Sequence, residues 1–251
     1  MPFTLAHPAL VLPLLHHPFV PAALVTGAMA PDVPYFLNTA GIRSTTAGNW
    51  YEPLLNATHT HSLSGLPIDV LYAVGLVAVY WMVRAPITAL LPSGLALPAR
   101  GPRRPWYAAW LLLSALIGVA THLLWDAFTD TDLLPASRLL QYASTAFGLA
   151  AVTWFLWQRR FKLRTTDTPA RLGATTRRVV IALLILAPLL GAAILARADY
   201  NDYSAVTATW AGVAEGVLTG AAKRAGAALA IAVLIYAAVW QLTRRVRVTV
   251  P

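Results

Sequence analysis

The chain has 251 residues, of which 58% are hydrophobic and 12% charged, and its net charge of +9 is carried by 17 Arg and 2 Lys. Soluble globular domains carry about 25% charged residues, so a value this low excludes water as the solvent for much of the surface and points to lipid. There is no cysteine, which removes disulfides, thiolate zinc sites and cysteine nucleophiles together.

The N-terminal stretch MPFTLAHPALVLPLLHHPFVPAALVTGAMAPDVPYF is apolar but has no basic n-region, unlike a secretory signal peptide. Pro8, Pro13, Pro18, Pro21, Pro31 and Pro34 punctuate any single straight helix. Two short helices over about 6–16 and 20–30, joined at His16-His17-Pro18, suit these residues better. Such a hairpin brings His7 and Asp32 to the same end, whereas a straight helix would hold them more than ~30 Å apart.

Apolar runs then predict five spans, at 66–83, 106–127, 139–157, 178–196 and 225–242. Each is near the ~20 residues that cross a hydrocarbon core of about 30 Å. The segment 206–224 is only moderately apolar and holds Glu215, Lys223 and Arg224, which reads as an interfacial or re-entrant helix. Trp and Tyr residues at 80–81, 106–110, 154–157 and 236–240 read as interfacial belts. The expected fold is all-α, a polytopic membrane helix bundle with about five transmembrane helices and a Pro-broken N-terminal helical hairpin. Its motif-bearing region is 1–158, with three of the spans, and the C-terminal helices follow at 159–251.

The charges alternate along this framework. The loop 84–105 carries Arg84, Arg100, Arg103 and Arg104; the loop 158–177 carries Arg159, Arg160, Lys162, Arg164, Arg171 and Arg177; and the tail carries Arg244, Arg245 and Arg247. The connections at 128–138 and 197–207 hold Asp130, Asp132, Asp199 and Asp202 against only Arg138 and Arg197. Lys/Arg-rich loops stay in the cytoplasm, so the basic charge is topological and no nucleic-acid partner is expected. The same rule puts the end of the second span and the start of the first at the extracytoplasmic face of a multi-pass protein of the cell membrane.

Two polar clusters fall at that face. In THLLWDAFTD (121–130), His122, Asp126 and Asp130 lie four apart and share one helical stripe. In ATHTHSLSG (57–65), His59 and His61 point to one side if the segment is extended. Ionisable groups in apolar helices are costly and face a bundle interior or polar cavity. Without cysteine, imidazoles and carboxylates are the ligands left for zinc and similar divalent ions. Each residue also has a plainer reading. His122 and Asp126 can simply hydrogen-bond within their helix, Asp32 in MAPDVP can cap a helix or turn, and His7 can be an interfacial histidine. His16 and His17 read as interfacial turn residues, and Asp130 and Asp132 as solvated groups past the span end. Asp69 can pair with the site or with Arg43. Ser62 lacks the setting of a nucleophile elbow, which argues against a serine hydrolase.

The segments MPFTLAHPALVLPL, GAMAPDVPYF, THSLSGLPIDV and THLLWDAFTD, in this order over about the first 150 residues, resemble the motif series of the DUF4184 family of bacterial membrane proteins. That family is related in pattern to the YdjM-like group, assigned as metal-dependent hydrolases, and more distantly to zinc-dependent phospholipase C. The resemblance implies a metal site of His7, Asp32, His61, His122 and Asp126, with His59 and Asp130 as weaker candidates. Two positions depart from the pattern. Asn56 stands where relatives tend to carry a His before the THS motif, and Asp130 stands where they often carry a His after WDxFT. Both bear on a second metal position.

A divalent metal such as zinc, held with an open coordination position, brings the pKa of bound water to about 7. Two metals about 3.5–4 Å apart would clamp a phosphoester in in-line displacement. The expectation is a metal-dependent hydrolase among membrane lipids, acting on a lipid-linked or other phosphoester substrate. The alternative is a non-enzymatic membrane protein whose His/Asp cluster is structural or binds metal without turnover. A transporter is the weakest reading, because the spans at 106–127 and 225–242 show no inverted repeat.

Overall fold

A computed structural model of the chain describes residues 3–42, 48–92, 96–97, 105–129, 137–159, 172–207 and 209–249. Among them there is no strand; ten α-helices and three 3-10 segments make up the ordered elements. Five helical stretches are long and apolar enough to cross a membrane, which marks a membrane protein. The chain divides into two compact units, one of residues 1–34, 44–82 and 94–166, the other of residues 35–43, 83–93 and 167–251.

The first unit begins with a 3-10 segment, Thr4–Leu14, which contains Pro8 and Pro13. After the His16–Pro18 turn, α1 (Pro21–Gly27) starts with proline at its first position, where the missing N–H costs nothing. A second 3-10 segment, Ala30–Asp32, leads into α2 (Val33–Thr39). The N-terminal stretch is therefore a folded-back hairpin, as its prolines require, with its first arm a 3-10 helix rather than an α-helix.

Two short helices follow, α3 (Glu52–Leu55) and α4 (Ala57–Thr60), then a 3-10 turn at Leu63–Gly65 and the long α5 (Leu66–Leu90). Asn56 caps α4, its side-chain oxygen accepting from the Thr58 amide at 2.9 Å. That cap closes THTHS into a helical turn, so the extended geometry expected for His59 and His61 does not form. The helices α6 (Tyr107–Thr129) and α7 (Ser137–Arg159) complete the unit. An apolar core of Val20, Ala23, Ala30, Ala73, Val77, Ala115 and Val119 packs α1, α5 and α6 together.

Small residues set how closely these elements approach. A Cβ on Gly118 of α6 would collide with the Leu24 carbonyl, the Ala28 amide and Gly27 Cα, so α1 lies main chain against main chain on α6. Ser114, one turn earlier, accepts from the Val20 amide at 2.9 Å and fixes the start of α1 on the same helix. On α7, Gly148 sits against Ala6, and this contact seats the N-terminal 3-10 segment.

The second unit holds most of α2 and the last turns of α5, together with α8 (Ala174–Ala193), α9 (Ala196–Val206) and α10 (Trp210–Thr249). Leu195, in the left-handed region at φ 63°, separates α8 from α9. The 197–207 connection is thus a helix, and 206–224 is no separate re-entrant element. Its residues 210–224 are the first part of one 40-residue helix, about 60 Å long at 1.5 Å per residue. Gly212, Gly216 and Gly220 recur every four residues on α10 and receive Thr207, the Tyr203 ring and the Asp199 carboxylate of α9. Small residues of this kind let helices approach closely. Arg177 of α8 donates to the Leu90 carbonyl at 2.8 Å, satisfying an end of α5.

Candidate metal centre

His122 and Asp126 occupy the last two turns of α6, four residues apart and both buried. His122 Nδ1 lies 2.8 Å from the Ala28 carbonyl oxygen. A carbonyl only accepts, so Nδ1 carries the proton and Nε2 presents its lone pair. The close crossing at Gly27 and Gly118 delivers Ala28 to this position, four residues before His122 along α6.

His61 follows the same rule. It ends the capped turn α4, and its Nδ1–H donates to the Ala57 carbonyl at 2.7 Å. With Nδ1 committed there, Nε2, 3.3 Å from His122 Nε2, is the position left for a proton or a metal. Two facing acceptors repel unless a proton or a cation lies between them. Thr60 ties this turn to the N-terminal hairpin, its hydroxyl donating to the Pro31 carbonyl at 2.7 Å, and Asp32 follows directly.

The carboxylates close the group. Asp32 Oδ1 is 3.3 Å from His61 Nε2 and 3.8 Å from His122 Nε2. Asp126 Oδ2 is 3.4 Å from His61 Nε2 and 3.2 Å from His122 Nε2. Tetrahedral coordination at about 2.0–2.2 Å would set neighbouring donors roughly 3.3–3.6 Å apart, close to most of these separations. His7 stacks on His122, ring centroids 3.8 Å apart, and its Nε2 lies 3.6 Å from the other Asp126 oxygen. Two overlapping donor sets can hold a metal: His7, His122 and Asp126, and Asp32, His61 and His122.

Outside the membrane-spanning helices, two groups are displaced from their usual titration. Burial would raise the Asp32 carboxyl, but hydrogen bonds from His61 and Thr4 and the nearby His122 and His7 hold it below the usual carboxylate range. Burial would lower His61, but its hydrogen bonds to Asp32 and Ala57 and the charges of Asp32 and Asp126 push it above the usual imidazole value.

The structure thus brings together His7, Asp32, His61, His122 and Asp126. His59 belongs to neither donor set; in the helical turn that replaces the expected extended one, positions i and i+2 diverge instead of sharing a side. Asp130 and Asp132 lie outside the described residues. His16 and His17 are exposed in the turn, where His16 Nδ1 meets the His17 carbonyl at 2.8 Å. Asp69 is buried, neither of its oxygens has a hydrogen-bond partner among the described residues, and Arg43, its other candidate partner, lies outside them. The main-chain tethers at Ala28 and Ala57 have no sequence signal, although the Asn56 cap that creates the second is readable as one.

Fold and site together define the class: an all-helical membrane protein with a buried His/Asp group able to hold a metal ion. Residues 1–135 match the DUF4184 domain of unknown function, more than half of the chain, and the protein belongs to that family. No curated protein and no solved structure matches it.

Proposed function

We propose that this protein is a membrane-embedded, metal-dependent hydrolase of phosphoesters, with a lipid or lipid-linked phosphate as substrate and its site at the extracytoplasmic face of the plasma membrane. One observation carries the reading: two imidazole Nε2 atoms face each other, each Nδ1–H is held by a main-chain carbonyl, and two carboxylates flank them. A second-shell acceptor on the far ring nitrogen is the habit of metal-ligating histidine. Structural zinc sites are built mainly on cysteine, and His/carboxylate sets belong to catalytic ones. The relation in pattern of the DUF4184 motif series to the YdjM-like group is in keeping with the same reading, and the Arg/Asp alternation supports the orientation.

A divalent ion bound here would activate water and polarise a phosphoryl oxygen. The residues of the chain hold and balance that charge. His61 and His122 supply neutral donors in a fixed tautomer, Asp32 and Asp126 neutralise the ion, and His7 packs over His122 to shield it. A second reading is binding without turnover, which would hold if Asp32, His61, His122 and Asp126 together closed a tetrahedral site.

The deciding experiment measures bound metal and phosphoester turnover on the detergent-purified protein, with Asp126→Asn alongside. That change keeps shape but removes a charge. Metal and turnover in the wild type, both reduced in the variant, would bear out the hydrolase. Metal without turnover on any phosphoester or phospholipid would favour the binding role. Absence of metal from the wild type after incubation with Zn²⁺ or Mn²⁺ would overturn both.

A further inference from the structure

The two donor sets share a member, and that member can serve only once. Among the described residues, every group of three side chains able to hold a metal includes His122. Its Nδ1 keeps a proton for the Ala28 carbonyl oxygen, 2.8 Å away. Only Nε2 is then left to bind, and one ring nitrogen has one lone pair in the ring plane. The two sets are therefore alternatives. They cannot both be filled at the same time by separate ions.

The distances show where a single ion belongs. The His61 and His122 ring centroids are 5.2 Å apart, while their Nε2 atoms are 3.3 Å apart. The nitrogens are thus the facing edges of the two rings and aim at one space between them. Asp126 Oδ2 closes a triangle with them, 3.4 Å from His61 Nε2 and 3.2 Å from His122 Nε2. Three nearly equal sides of this length are close to one face of a tetrahedron drawn around an ion at about 2.0–2.2 Å from each donor. Two ions would need about 3.5–4 Å between them, more than the gap that separates the two nitrogens. With the triangle filled, His7 Nε2 keeps the other oxygen of Asp126 beside it at 3.6 Å, and Asp32 Oδ1 stands 3.8 Å from His122 Nε2. Neither remainder forms a group of three without His122.

We infer that the centre takes a single divalent ion, seated on His61, His122 and Asp126, and that His7 and Asp32 border it without building a second site. This inference rests on the metal-centre reading and fixes its stoichiometry. It removes the two-metal clamp as a route to phosphoester displacement and leaves the one-ion roles, water activation and polarisation of a phosphoryl oxygen. Three ligands also leave a coordination position open, as catalytic zinc sites do.

The test uses the full chain in detergent with Zn²⁺ and Mn²⁺ as probes, on wild type, His7→Gln and His61→Ala. Metal analysis after dialysis should find one Zn²⁺ per wild-type chain. Electron paramagnetic resonance of the Mn²⁺-loaded wild type should show isolated ions, with none of the crowded hyperfine pattern of a coupled pair. His7→Gln should still hold one ion, about 10- to 100-fold more weakly, as loss of an outer partner does, and His61→Ala should lose far more affinity than that. Two ions per wild-type chain with coupled spins would overturn the inference and leave the metal centre standing. One ion that His7→Gln loses as fully as His61→Ala would overturn the ligand assignment. The wild-type count needs no variant to fold. Should the wild type bind neither ion, the metal centre itself fails and the single-ion inference falls with it.

Discussion

Each of the two units shields charge from solvent, and they do so in opposite ways. In the second, Arg224 of α10 donates from one guanidinium nitrogen to Asp199 Oδ1 at 3.2 Å and from the other to Oδ2. That pair is complete, because the cation is permanent and its planar fork matches the carboxylate. In the first unit, Asp32 and Asp126 form their ion pairs with imidazoles, and no Lys or Arg reaches them among the described residues. Imidazole is mostly neutral near pH 7. The first unit must therefore take its positive charge from solution, as protons or as a metal ion. The contrast separates a charge pair that holds helices together from a charge group built around something else.

The sharpest way to break this contrast is His122→Ala. It removes the donor common to both metal-holding sets, and bound metal should fall by roughly 90% or more, because such sites rely on three or four protein ligands. Metal analysis after dialysis reads it directly. An unchanged metal content would mean that the cluster is a hydrogen-bonded polar core and the two units are alike after all.

Acidification should have the next largest effect. His61 holds its proton above the usual imidazole value in the metal-free protein, and a metal must displace that proton. Affinity should therefore be nearly level above the raised value and fall by about tenfold per pH unit below it. Asp32, held below the usual carboxylate range, stays ionised throughout that window and adds no slope. Competition titrations at several pH values would show the break; a flat profile through the imidazole range would remove His61 from the site.

For the second unit the expected loss is one of stability alone. Arg224→Gln strands Asp199, and breaking a buried pair costs about 3–5 kcal/mol, less here because both side chains keep some exposure, 14% and 18%. Metal content should not change. The double change Asp199→Leu with Arg224→Met should restore most of the melting temperature, since apolar residues can replace such a pair. A double variant as unstable as Arg224→Gln would mean that the charges do more than hold α9 to α10.

The smallest change tests packing beneath the site. Gly118→Ala pushes a methyl into the main chain of α1, and overpacking of this kind costs about 1–3 kcal/mol. It should also weaken metal binding, since α1 carries the carbonyl that orients His122. Gly75→Ala on α5 meets no atom within 4 Å and should be neutral or stabilising by up to about 1 kcal/mol. Equal melting temperatures for the two variants would contradict the close crossing.

Much of this organisation is legible in the residues. Apolar runs locate the long helices because lipid demands about 20 such residues per crossing. The prolines at 8, 13, 18 and 21 foretell the folded-back N-terminus that brings His7 to Asp32. The failures share a cause, which is that spacing along the chain does not show what a residue touches. THTHS has the alternation of a strand, yet Asn56 closes it into a turn. The 206–224 segment looks too polar to span, yet its glycines face α9 as part of one long helix. Asp69 left a choice between Arg43 and the site that spacing alone did not make, and Arg43 lies outside the described residues.

The tether on His122 has a further consequence. Its orientation is set by the main-chain oxygen of Ala28, an atom that every amino acid possesses. Saturation mutagenesis at position 28 would vary bulk beside the ring without ever deleting the acceptor. An engineer wishing to retune this imidazole therefore has no side-chain handle on its tautomer and must displace the backbone of α1 itself. For directed evolution, the proton state of His122 is a property of how two helices cross, inherited through Gly27 and Gly118 and beyond the reach of the library at its own hydrogen-bond partner.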